Sequence, residues 1–180
     1  MSVSQEIMSM IVDVHDFPKK GIVFKDFMNV FHNPTLLQKL IAEIAQRVEV
    51  LRPDYIVGIE SRGFLFGVPL ALQMNIPFLP ARKKGKLPPP VLSQTYALEY
   101  GTDTIEIQQS SLIKGKRYLV LDDVVATGGT AGAVAELVAR EGAVVAGFAF
   151  VIELAFLNGR DVLCKASGLS HESVVSIIEY

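Results

Sequence analysis

Two adjacent carboxylates, Asp122 and Asp123, close an apolar run and open a loop of small residues, Ala126-Thr127-Gly128-Gly129-Thr130, in the stretch VLDDVVATGGTAGA. A helical pattern follows at once, so the loop must present unpaired backbone N–H groups and two hydroxyls at a helix N-terminus. Donors and dipole there both favour an anion. The glycines let the backbone approach oxygen atoms with no Cβ in the way. The carboxylates would repel a phosphate, so they face something beside it: the vicinal hydroxyls of a sugar, or a Mg²⁺ held through water. The loop reads as a cradle for a ribose 5-phosphate. No Gly-Lys-Ser/Thr follows it and no Gly-x-Gly-x-x-Gly occurs, so it is neither a Walker loop nor a dinucleotide fingerprint.

Other residues could act beside it. Glu60-Ser61-Arg62-Gly63 is a polar turn after a short apolar run, and Arg82-Lys83-Lys84-Gly85-Lys86 concentrates positive charge before Leu87-Pro88-Pro89-Pro90. Glu99 lies in ALEYG, where it could be a solvent-facing carboxyl of a hairpin or, if closed into a water-poor site, a proton donor with a raised pKa. His15, His32 and His171 are far apart without ligand spacing, so no structural metal is expected. Cys164 reads as a small buried residue.

The elements that would hold these groups can be read from periodicity. Val3, Ile7, Met10, Ile11 and Val14 have helical spacing and predict a short helix over 2–14, followed by a loop over 16–27. Asn33-Pro34 predicts a helix start, and apolar residues at threes and fours carry that helix to about Leu51. Continuous apolar runs at 55–59, 117–121 and 144–154 predict strands buried on both faces. A helix over Thr130 to Arg140, ended by Gly142, joins the last two into a right-handed βαβ unit. Alternation over 95–108 around Gly101-Thr102-Asp103 predicts a hairpin.

Composition narrows the class. The 180 residues predict one domain over 1–180, and half of them are hydrophobic, which excludes an intrinsically disordered chain. Lys+Arg 17 against Asp+Glu 19 gives a net charge of -2, so no general basic field attracts nucleic acid. The single cysteine excludes a disulfide scaffold and fits a reducing, cytoplasmic setting. The first residues, MSVSQEIMSMIVDVHDF, do not read as a signal peptide. The uncharged stretch from Gly63 to Ala81 is broken by Pro69, Pro77 and Pro80, so it reads as a buried helix and strand rather than a membrane span.

VLDDVVATGGT resembles the phosphoribosyl-diphosphate motif of the type I phosphoribosyltransferases. FPKKGIVFKDF, GIESRGFLFG, ARKKGKLP and YALEYGTDTIEIQ resemble the adenine phosphoribosyltransferases in order and spacing, over about residues 17–154. The resemblance implies an α/β fold with a mostly parallel central sheet flanked by helices, a hood segment and a flexible lid hairpin. It implies transfer of a phosphoribosyl group from 5-phosphoribosyl 1-diphosphate to adenine, with Mg²⁺, by a homodimer. On that resemblance Ala126, Thr127, Gly128, Gly129 and Thr130 hold the 5-phosphate, and Asp122 and Asp123 the ribose hydroxyls. Glu60, Ser61, Arg62, Gly63, Arg82 and Lys86 surround the pyrophosphate, with Arg82 reaching the neighbouring subunit. The family's loop often carries a strained peptide between the residues matching Ser61 and Arg62. Glu99, with Tyr100 and Arg62, forms the catalytic group, and Val23, Phe24 and Lys25 read adenine.

Two departures stand out. Lys25 occupies a position that is commonly Arg in the family, and the Pro88-Pro89-Pro90 run is stiffer than the usual lid. The alternatives are a 6-oxopurine substrate, or a non-catalytic sensor of phosphoribosyl diphosphate. FPKKGIVFKDF and LEYG argue against the first, and the lack of a basic nucleic-acid-binding module against the second.

Overall fold

The computed structural model describes residues 1–17, 19–97 and 101–180, so the predicted acid/base pair Glu99 and Tyr100 lies outside the described residues. The chain folds as two compact units, 1–43 and 44–180.

In the first unit, α1 (Val3–Met8) starts with a capping box: Ser2 Oγ accepts from the Gln5 N–H, and Gln5 Oε1 accepts from the Ser2 N–H. The helix predicted over 2–14 stops there. Val12–His15 is instead strand β1, antiparallel to β2 (Val23–Asp26), and the predicted loop over 16–27 contains that second strand. The spacing of Val3, Ile7, Met10 and Ile11 suits a helix, but Val12-Asp13-Val14-His15 also alternates. A cross-strand ion pair rewards the alternative, because Asp13 faces Lys25 in register and Lys25 Nζ lies 2.8 Å from its carboxylate. Asp16 Oδ1 accepts from the Gly21 N–H at 2.7 Å and closes the connection. As predicted, Asn33 Oδ1 caps the next helix by accepting from the Leu36 N–H at 3.1 Å. That helix, α2 (Pro34–Val48), begins in the first unit and ends in the second, where a 3-10 turn at Glu49–Leu51 extends it.

The second unit is built on a seven-stranded sheet. Its strands are β3 (Tyr55–Ile59), β4 (Phe78–Lys83), β5 (Val91–Ala97), β6 (Thr102–Gln108), β7 (Arg117–Val125), β8 (Val144–Glu153) and β9 (Val174–Glu179). The order is β5-β6-β4-β3-β7-β8-β9, with β4, β3, β7, β8 and β9 parallel and the β5–β6 hairpin antiparallel at one edge. The apolar runs at 55–59, 117–121 and 144–154 are thus the central strands, as predicted. The stretch from Gly63 to Ala81 divides into α3 (Arg62–Met74) and β4, and among the described residues no helix is long and apolar enough to cross a membrane.

The strand order fixes where a ligand can sit. From β3 the chain passes through α3 to β4 on one side, whereas from β7 it passes through α4 (Gly129–Arg140) to β8 on the other. Right-handed crossovers leaving in opposite directions put their helices on opposite faces and open a crevice between the carboxyl ends of β3 and β7. Packing agrees: α4 shares a core with Val57, Ile59, Val120, Phe148 and Phe150, to which the buried Phe66 and Leu70 of α3 do not belong. After β8, α5 (Gly159–Ser167) packs beside α4 and leads to β9.

Candidate active site

Two sequence segments meet at the crevice. Glu60-Ser61-Arg62-Gly63 leaves β3, and Asp122-Asp123 lies near the end of β7. Their approach depends on Gly63, since a Cβ there would stand 2.8 Å from the Leu121 carbonyl oxygen and 3.1 Å from Asp122 Oδ1. A cis peptide joins Glu60 to Ser61, one residue earlier than the special peptide expected between Ser61 and Arg62.

Arg62 Nε lies 2.9 Å from Asp123 Oδ2, which is buried and, among the described residues, accepts no hydrogen bond. The pair is attracted by charge but is not aligned for donation, so that oxygen can still receive a proton donor or a cation. Asp122 Oδ1 accepts from the Asp123 N–H at 2.9 Å. Burial, and then the neighbouring Asp123 charge, push the Asp122 carboxyl well above its ordinary range.

Among the described residues Asp122 lines a smaller and a larger pocket. The smaller, about 100 Å³, is lined by Asp122, Ala126, Thr127, Gly128, Gly129 and Thr130, with Val124, Val125, Ala131 and Phe150 behind them. Helix α4 starts there with Gly128 at its N-cap and no side-chain cap, so its first N–H groups face the pocket's loop unfilled by protein. Gly128 has φ +80°, and a Cβ on it would lie 2.7 Å from the Gly159 oxygen. The larger pocket, about 320 Å³, is lined by Glu60, Ser61, Arg62, Lys83, Asp122 and Asp123. One small anion suits the first, while the second has room and two cations for a larger one.

From sequence, Lys83 stands out only as part of the basic tract 82–86 and not as a residue of the pyrophosphate site. It ends β4, next to β3 in the sheet, and only that strand pairing brings it to the crevice. Its ammonium also lies 3.4 Å from Asp103. Glu60, by contrast, faces its own chain. Its carboxylate accepts from Arg82 at 3.0 and 3.2 Å and from the Lys83 N–H at 2.9 Å, and the Arg82 hydrogen bonds hold its pKa below the usual value. Arg82 further donates to the Lys86 carbonyl at 3.2 Å, and the Lys86 side chain is exposed.

The hairpin root is pinned by Glu106, a buried carboxylate on β6 that accepts from the Gly85 N–H at 2.9 Å and from Ser93 Oγ at 3.2 Å. Tyr96, near the end of β5, donates its hydroxyl proton to Asp103 at 3.5 Å, and burial pushes its pKa up, an effect the Thr130 hydroxyl partly offsets. The segment Val23, Phe24, Lys25 lies on β2 in the first unit, with the Phe24 ring edge-on to Phe17 at 5.3 Å.

Among the described residues no group of three or more His, Cys, Asp or Glu could cage a metal. The adjacent Asp122 and Asp123, with the orphaned Asp123 Oδ2, fit a hard cation that keeps most of its ligands from water and substrate.

Comparison with known proteins gives one family. The phosphoribosyl transferase domain family matches residues 28–165. Curated adenine phosphoribosyltransferases from Trichodesmium erythraeum and Synechocystis sp. are 46% and 48% identical, each over 97% of this chain and 99% of the relative. A solved adenine phosphoribosyltransferase from Thermoanaerobacter pseudethanolicus superposes with a TM-score of 0.91 at 42% identity, covering 98% of this chain and 99% of that one. The Saccharomyces cerevisiae enzyme, solved with adenine and an imino-altritol bisphosphate, gives 0.86 at 41% identity, covering 98% of each chain.

Proposed function

The chain belongs to the phosphoribosyl transferase family, and from that premise we infer that it joins adenine to 5-phosphoribosyl 1-diphosphate, giving AMP and diphosphate. The observation that carries this reading is the pair of pockets sharing Asp122 at the β3/β7 crevice, one sized for a phosphate and one lined by Arg62 and Lys83. Relatives at 46–48% identity across nearly the whole chain are adenine enzymes, which supports adenine over a 6-oxopurine.

In the reaction the bond from the anomeric carbon to diphosphate breaks, with the electron pair leaving on oxygen. The base nitrogen bonds to that carbon and loses its proton. No covalent protein intermediate is needed, so the residues act by holding two reactants in line and stabilising developing charge. Ala126, Thr127, Gly128, Gly129 and Thr130 take the 5-phosphate through loop N–H groups and hydroxyls. Asp122 and Asp123 accept from the ribose hydroxyls. Ser61, Arg62 and Gly63, with Lys83, donate to the diphosphate as its charge grows. Mg²⁺, when bound beside Asp122 and Asp123, would neutralise part of the diphosphate charge.

Adenine recognition is assigned to Val23, Phe24 and Lys25, with Phe24 stacking on the purine. Glu99, helped by Tyr100, is assigned proton transfer or hydrogen bonding at the base. The protein is read as a homodimer with one phosphoribosyltransferase domain per chain. For Arg82 to reach a partner's diphosphate it must exchange its in-chain contact with Glu60, and Lys86 would follow it.

An absorbance assay with phosphoribosyl diphosphate, Mg²⁺ and adenine, hypoxanthine, guanine or xanthine in turn tests the reading. AMP from adenine alone is expected. Turnover with a 6-oxopurine would overturn the substrate assignment, and tight binding of phosphoribosyl diphosphate without turnover would favour a sensor.

A further inference from the structure

We propose that Arg160, on α5 and outside both pockets, is a positioning residue for the loop 126–130. The proposal rests on that loop being the 5-phosphate site. Two backbone contacts tie the loop to the start of α5. A Cβ on Gly159 would overlap the Ala126 carbonyl oxygen, and one on Gly128 would lie 2.7 Å from the Gly159 oxygen and 3.3 Å from Leu163. The loop therefore rests directly on the first residues of α5, and any displacement of that helix start reaches the phosphate cradle.

The start of α5 lacks the usual means of being fixed. Its N-cap, Asn158, has φ 55° and makes no side-chain cap. Arg160 supplies the restraint instead. Its guanidinium donates to both carboxylate oxygens of Glu153, through Nε at 2.9 Å and through a second nitrogen. It also donates to the carbonyls of His171, at 2.9 Å, and Val174.

Glu153 is the second half of the clamp. It is 4% exposed, is the in-register partner of Val125, and also accepts from Ser176 Oγ at 2.6 Å. The next residue, Leu154, donates its N–H to the Val125 carbonyl at 2.9 Å, immediately before the loop begins. Arg160 thus joins the residue beside the loop's entry to the residue under its middle, and it ties both to β9. A planar fork with a buried carboxylate fixes orientation as well as distance, which a point charge cannot do.

Arg160→Lys keeps the charge and loses the fork. The expected result is a KM for phosphoribosyl diphosphate raised about tenfold, because a small misplacement of a binding loop is costly. The dissociation constant of ribose 5-phosphate, measured by calorimetry, should rise in parallel, while KM for adenine stays unchanged. Ser176→Ala, which removes one hydrogen bond to Glu153, should move the same two constants about threefold. A fall in melting temperature with both constants unchanged would overturn the proposal and leave Arg160 a structural residue only. Should Arg160→Lys not fold, Ser176→Ala decides by the same criterion. Failure of the unsubstituted protein to bind ribose 5-phosphate would instead overturn the loop assignment, and this inference with it.

Discussion

Arg62 and Asp123 face each other across the crevice with Nε and Oδ2 2.9 Å apart, one from the loop after β3 and the other from β7. The contact is electrostatic without an aligned hydrogen bond to that oxygen. Both residues line the larger pocket, and Asp123 Oδ2 keeps an acceptor that no described group uses. Arg62→Lys retains the charge and loses the planar donors. Steady-state kinetics should show kcat lowered about 10²-fold, as for removal of a donor to a developing oxyanion, with KM for adenine little changed.

Asp122 is held at a cost to the fold. Burial, and then Asp123, raise its folded pKa above the unfolded value, so its ionisation opposes folding. That penalty is fully present above the folded pKa and fades as pH falls through it toward the ordinary carboxylate range. Asp122→Asn should therefore raise the melting temperature at neutral pH, by roughly 2–4 °C for each kcal/mol relieved. The gain should vanish in acid, while KM for phosphoribosyl diphosphate rises at neutral pH. Thermal unfolding across a pH series, beside kinetics, checks both.

Gly128 and Gly85 have nearly the same φ, +80° and +79°, but only Gly128 has backbone against its missing Cβ. Replacing each by Ala separates strain from clash. Gly85→Ala should lose about 1 kcal/mol, the left-handed cost alone. Gly128→Ala should lose more, and should weaken ribose 5-phosphate binding while Gly85→Ala does not. Denaturant unfolding and calorimetry on the two variants test this.

Glu99 is proposed to move a proton at the base. Glu99→Gln should lower kcat by about 10²- to 10⁴-fold, the usual contribution of a placed acid or base. Binding of phosphoribosyl diphosphate should be unaffected. A variant with near-full kcat would remove Glu99 from the mechanism.

The site's centre was legible because its signals are local. The apolar run before Glu60-Ser61-Arg62-Gly63 marks a strand end, the run before Asp122-Asp123 a strand that continues to Val125, and small residues before a helical pattern mark the candidate anion loop. Lys83 was visible as part of a basic tract, but its place at the crevice comes through strand adjacency, which no spacing records. The β1–β2 ribbon was hidden for a related reason: Val3 to Val14 satisfies a helical period, and Lys25, which pairs with Asp13 across the ribbon, is brought to it only by the strand register. The tie between α5 and the loop was equally invisible, since Gly159 and Ala126 are neighbours only through the close packing of two backbones.

Glu106 holds both Gly85, in the turn after β4, and Ser93, its in-register partner on β5. Between them residues 86–90 link β4 to β5, because Val91 and Leu92 are already paired with Gln108 and Ile107 of β6. An insertion within 86–90, or replacement of the prolines there, would leave the register of β5 on β6, set from Val91 onward, undisturbed. The connection can therefore change length while Lys83, at the end of β4, and the strands beside the crevice keep their places.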